Sequence, residues 1–151
     1  MNEKDNFSIK IKKEIMCRSV REKCKSSLAS SELCRGLYCV SRLKDQKSDS
    51  TLCVLLDDKE SYLTDRILNR DLNVSLEKLC QVVCQFASFE NSTIVILATK
   101  FDNKGDFLLI ASKAYVISDR LKEHGITLEG YYITTEADFE NVLLPGSEDN
   151  Q

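Results

Sequence analysis

The sequence predicts an α/β protein: a layered sheet flanked by helices, preceded by a small helical extension at the N-terminus. Three observations carry this. From Thr51 onward, short β-rich runs alternate with longer segments of helical period, and strands interleaved with helices favour a layered α/β arrangement. The run Thr93 to Ala98 is apolar at nearly every position, β-branched and too short for a helix, as a strand covered on both faces is. The composition, 42% hydrophobic and 30% charged with a single proline in 151 residues, excludes a collagenous or mostly disordered chain. One domain of ordinary size accommodates this length, and no internal repeat divides it.

Residues 1 to 8 read as a frayed tail. From Lys10 to Leu28, Met16, Val20, Cys24 and Leu28 recur every four residues, while Lys10, Glu14, Arg18, Arg21 and Lys25 share another stripe. That is the period of an amphipathic helix. Ser30 or Ser31 is placed to cap a second helix, with Leu33, Leu37 and Val40 repeating at three to four residues. The polar stretch Lys44 to Ser50 follows as the best linker in the chain.

Thr51 to Asp57 is β-rich, Asp57 to Glu60 supplies a turn, and Ser61 to Leu68 alternates; together they predict a hairpin. Ser75 caps a helix over Leu76 to Phe89 whose apolar face runs through Leu76, Leu79, Cys80, Val83, Phe86 and, one turn later, Phe89 or Ala87. After the Thr93 to Ala98 strand, residues 99 to 105 form a polar loop. Asp106 caps a helix with a stripe through Phe107, Ile110, Ala114, Ile117 and Leu121, and Gly125 terminates it. Ile126 to Thr134 closes the fold as a strand interrupted by Gly130. The predicted order is ααββαβαβ, divided into a basic extension (1–30), a domain (31–144) and an acidic tail (145–151).

The longest apolar runs are a few residues long, far below the ~20 needed to span a bilayer. The charged start, Met-Asn-Glu-Lys-Asp, does not read as a secretory signal, so a cytoplasmic location without membrane attachment is expected. Seven cysteines (17, 24, 34, 39, 53, 80 and 84) fit reduced, buried thiols; the alternative is a structural zinc module from Cys17, Cys24, Cys34 and Cys39, whose spacings lack the usual two-residue knuckle. The net charge of −3 divides into +5 over residues 1–50 and −8 over the rest. A basic head on an acidic body argues against uniform nucleic-acid wrapping but leaves a local phosphate contact through Lys10, Arg18, Arg21 and Lys25 open.

Chemistry-bearing motifs are sparse. The lone histidine, His124, falls in the last turn of a helix, where it interacts with terminal carbonyls more readily than with a metal. No phosphate-cradling glycine motif occurs. Asp57-Asp58 reads as turn chemistry rather than as a Mg²⁺ site.

From Thr51 onward the chain resembles the RadC-type JAB/MPN domain of bacterial proteins, within the wider group of JAMM zinc metallopeptidase folds. Thr-Leu-Cys-Val-Leu-Leu-Asp-Asp-Lys-Glu (51 to 60) is similar to that family's opening strand and turn. Ser92-Thr-Ile-Val-Ile-Leu-Ala (92 to 98) is similar to the strand that delivers its metal motif, and residues 118 to 134 to its closing helix and strand. The likeness spans about residues 32 to 135 and implies a three-layer, JAB/MPN-like mixed sheet.

The departure falls on the chemistry. Where the family carries His-x-His-Pro-Ser-Gly, this chain has Thr99, Lys100, Phe101, Asp102 and Asn103. The family's later Asp ligand falls near Ile110, with Asp106 a substitute only if the loop shifts register, and its closing Asp-His is Gly130-Tyr131. Thr99 and Phe101 cannot ligate zinc, and Lys100 adds positive charge beside a cation. No catalytic residue, metal or cofactor is carried over. The resemblance therefore implies a non-catalytic domain that works through a protein partner or self-association. A DNA-associated role through the basic head and an enzyme with relocated chemistry are the alternatives.

Overall fold

The computed structural model describes residues 31–68, 75–101 and 107–143. The extension at 1–30, with its basic stripe and with Cys17 and Cys24, lies outside them, as do Asp106 and the tail at 145–151. Helix α1 (Glu32–Leu43) leads into strands β1 (Thr51–Leu56) and β2 (Tyr62–Leu68). Helix α2 (Leu76–Phe89), strand β3 (Ile94–Lys100), helix α3 (Phe107–Glu123), β4 (Thr127–Thr134) and a short β5 (Phe139–Asn141) follow. The five strands form one open mixed sheet in the order β2-β1-β3-β4-β5, with β3 and β4 parallel and the other pairs antiparallel.

Local chemistry accounts for the boundaries. The Ser31 hydroxyl accepts the Cys34 N–H at 3.1 Å and the Ser75 hydroxyl accepts the Lys78 N–H at 3.3 Å, each satisfying a donor that the first helical turn leaves open. In the hairpin, Asp57 Oδ1 accepts from the N–H groups of Lys59 and Ser61, both at 2.9 Å, so this carboxylate serves the turn, as its sequence predicts. Gly125 takes φ +77 and ends α3, with the Ile126 N–H returning to the Leu121 carbonyl at 2.9 Å.

Alternation sends the strand residues to two cores. Leu52, Val54, Leu56, Ile96, Ala98 and Tyr132 pack with Tyr38, Cys39 and Leu43 of α1 on one face. Cys53, Leu55, Val95, Leu97, Tyr131 and Ile133 pack with α2 and α3 on the other. Among the described residues the result is three layers, with both long helices on one side of the sheet and α1 opposite them.

Two expectations are corrected. Lys44 to Ser50 is no linker: the Asp49 N–H donates to the Lys100 carbonyl at 2.7 Å and the Lys100 N–H to the Ser50 carbonyl at 3.0 Å, which stitches the stretch onto the end of β3. The Leu33, Leu37 and Val40 stripe is not the buried face of its helix. Leu33 is 59% exposed, whereas Arg35, Gly36, Tyr38, Cys39 and Leu43 are buried. The reason is steric and polar. Gly36 lets α1 lie against Phe139, whose ring would stand 2.1 Å from a Cβ at that position, and the faces bearing Arg35 and Tyr38 find ionic and hydrogen-bonding partners under the helix.

Gly36→Ala therefore sets a helix-propensity gain of about 1 kcal/mol against overpacking that costs typically 1–3 kcal/mol. Net destabilisation is expected in denaturant unfolding, relieved when Phe139→Leu is added. A stabilised single variant would show that α1 does not pack so closely on β5.

Candidate functional site at the carboxyl end of β3

The register of β3 turns Thr99 and Lys100 to opposite faces. Thr99, 2% exposed, joins a buried chain of hydroxyls: its Oγ1 lies 2.9 Å from Thr51 Oγ1 and 2.7 Å from the Tyr131 hydroxyl. Burial holds the Tyr131 phenol above its ordinary range, against the opposing hydrogen bond from Thr99, so it stays a neutral hydroxyl. Lys100, 8% exposed, faces α1 and donates through Nζ to the carbonyls of Lys44 at 2.7 Å and Gln46 at 2.9 Å. An ammonium there satisfies orphan carbonyls just beyond α1 and faces the negative end of the helix dipole. Phe101 packs among the α2 and α3 side chains, and its N–H donates to the Thr134 carbonyl at 2.9 Å.

Thr99, Lys100 and Phe101 thus all have structural partners. Ile110 is half-buried against the same core as Phe101. His124 stands exposed in the turn after α3. Among the described residues, no group of three or more His, Cys, Asp or Glu side chains is arranged to hold a metal ion. Cys39 is buried in apolar surroundings, and that burial, with Asp65 and Glu32 nearby, pushes its thiol up; Cys17 and Cys24, the other members of the zinc alternative besides Cys34, lie outside the described residues. Cys34 is half-buried and also unpaired by any disulfide.

Two polar clusters escaped the sequence reading because each joins residues far apart in the chain. Asp65 of β2 accepts from Arg42 Nη2 at 2.7 Å and Nε at 3.1 Å, from the Tyr62 hydroxyl at 3.0 Å and from the Tyr38 hydroxyl. This carboxylate clamps α1 to the sheet edge. Arg35 lies 3.9 Å from a Glu60 carboxylate oxygen and 3.7 Å from one of Glu129. Glu129 occupies the bulge opposite Val95 and Ile96, an irregularity that re-aims its side chain toward α1. Burial, then the neighbouring Glu60, raises its carboxyl, with Arg35 opposing. Only the bulge had a sequence trace, in the Glu129-Gly130 step inside an otherwise β-rich run.

No helix among the described residues is long and apolar enough to cross a membrane. Neither the protein-family models nor the curated protein sequences contain a match to the chain.

Proposed function

We propose that the chain is a RadC-like JAB/MPN-type domain whose metal position has become a structural joint, and that it acts by binding a protein. The observation that carries this reading is Lys100: at the position corresponding to the metal motif, a buried ammonium is held on two backbone carbonyls, where it would oppose a cation. The succession of hairpin, helix, strand, helix and strand supports the fold part of the reading. Binding would use the described surface's large exposed apolar side chains, among them Leu63 on strand β2 at the sheet margin and Phe89 at the end of α2, 82% exposed. Sheet margins and apolar patches are the surfaces on which proteins recruit strands and helices.

The test has two arms. Elemental analysis of protein purified without added metal is expected to find no tightly held zinc at residues 99 to 106, and one zinc per chain there, with peptidase activity, would sink the proposal. A photo-crosslinking residue placed at Leu63 or at Phe89 in host cells is expected to trap a discrete protein adduct. An adduct of two copies of this chain identifies self-association, and the absence of adducts at both positions overturns the binding reading.

The charge division favours one second reading, a DNA contact through Lys10, Arg18, Arg21 and Lys25 in the +5 half of the chain. Binding that weakens steeply with salt, and less steeply once those four are glutamine, is its signature.

A further inference from the structure

Cys80, 6% exposed, belongs to the core beneath α2 and α3, and Cys84 is half-buried beside it, both more open than Cys39 and Cys53. They stand one helical turn apart on α2, and both line an open cleft of about 500 Å³ between α2 and α3, with Glu77, Arg120 and His124 among its other walls. Arg120 reaches across to Glu77 at 3.1 Å, which holds its guanidinium at the cleft.

We propose that Cys80 and Cys84 form a two-coordinate site for a soft monovalent cation, Cu(I). Side chains four apart on a helix have Cβ atoms roughly 5–6 Å apart, within reach of one ion held between two sulfurs. Ligand number selects the ion. Structural zinc takes four ligands in a tetrahedron, and no suitable group of three exists among the described residues, whereas thiolate pairs favour Cu(I) by softness. The carboxylates of Glu77 and Glu123 are hard oxygen donors and compete poorly for it.

Charge complements the site as well. Binding converts two thiols and Cu⁺ into a bis-thiolate complex of charge −1 and releases two protons to solvent, with no change in oxidation state. Arg120 offsets part of that negative charge, although burial first, then Cys84 and Glu77, hold the Cys80 thiol above its ordinary range against it, and burial raises Cys84 as well. Retention therefore strengthens with pH, and its logarithm rises by up to two units per pH unit while both thiols are protonated in the free protein.

The experiment offers Cu(I), anaerobically and with reductant, from a chromophoric Cu(I) chelator to the full chain. One equivalent is expected to transfer. The Cys17→Ser/Cys24→Ser/Cys34→Ser variant is expected to keep that equivalent, and Cys84→Ser to lose it. Cys84 is only half-buried, so this variant is expected to retain the native circular dichroism spectrum, and Cys80→Ala provides a second removal that keeps an apolar group on the helix. Transfer that persists when both Cys80 and Cys84 are replaced, or that disappears in the triple variant, overturns the proposal.

Discussion

Ile96→Asp is expected to remove most of the domain's stability. Ile96 is 1% exposed in β3, between β1 and β4, opposite Val54 and Gly130 and packed beneath α1. An aspartate there loses the apolar contacts and strands a carboxylate without a partner, a combination in the class of the largest single-site effects, beyond about 4 kcal/mol. Set against a total of ~5–15 kcal/mol for a domain, that leaves a marginal fold or none. Ile96→Val separates placement from charge: a buried methyl alone costs about 0.5–1.5 kcal/mol. Equilibrium urea unfolding of both variants reads the two numbers. An aspartate variant that unfolds at the wild-type midpoint would mean that β3 is not the inner strand of this sheet.

That strand was readable because its local signal and its tertiary role agree: a run buried on both faces has to be apolar at nearly every position. The helix of α2 was readable for the same reason, since its Ser75 cap and its Leu79, Cys80, Val83 and Phe86 face are each set within a few residues. Helix α1 shows where such reading fails. Its buried face holds an arginine, a glycine and a tyrosine, and the partners that make it buriable, Glu129, Phe139 and Asp65, come from 27 to about 100 positions further on. Hydrophobic periodicity cannot register a face stabilised by distant ion pairs, so it selected Leu33, which is exposed. Strand β5 was missed because three residues carry no period, and its pairing partners lie on β4. At residues 99 to 101 the absence of histidines was legible, but the partners of Lys100 were not: the carbonyls it caps belong to a stretch that reads as a polar linker.

The second large effect expected is loss of stability in alkali, and the buried thiols set its sign. Cys39 is 1% exposed and Cys53 is fully buried. Burial is the main cause holding both thiols above their ordinary range, reinforced by the nearby Asp65 carboxylate and, at Cys53, opposed by Arg66. A thiol is uncharged while protonated, so the folded state keeps a proton that the unfolded chain releases near pH 8.5. Below that pH the stabilisation is fully present. Above it the unfolded state binds fewer protons, and stability falls by about 1.4 kcal/mol per pH unit for each thiol until the folded-state range is reached. Cys39 and Cys53 together make that roughly 3 kcal/mol per unit, so a rise from pH 9 to 11 removes an amount comparable to the whole stability of a small domain. Tyr131 and Tyr132, also raised by burial, join above about pH 10. Urea midpoints measured under reductant from pH 7 to 10.5 are expected to stay level and then drop, and Cys39→Ala/Cys53→Ala to remove about two protons from the slope whatever its effect at pH 7. Wild-type midpoints that stay level to pH 10.5 would place these thiols in contact with solvent, outside the two cores.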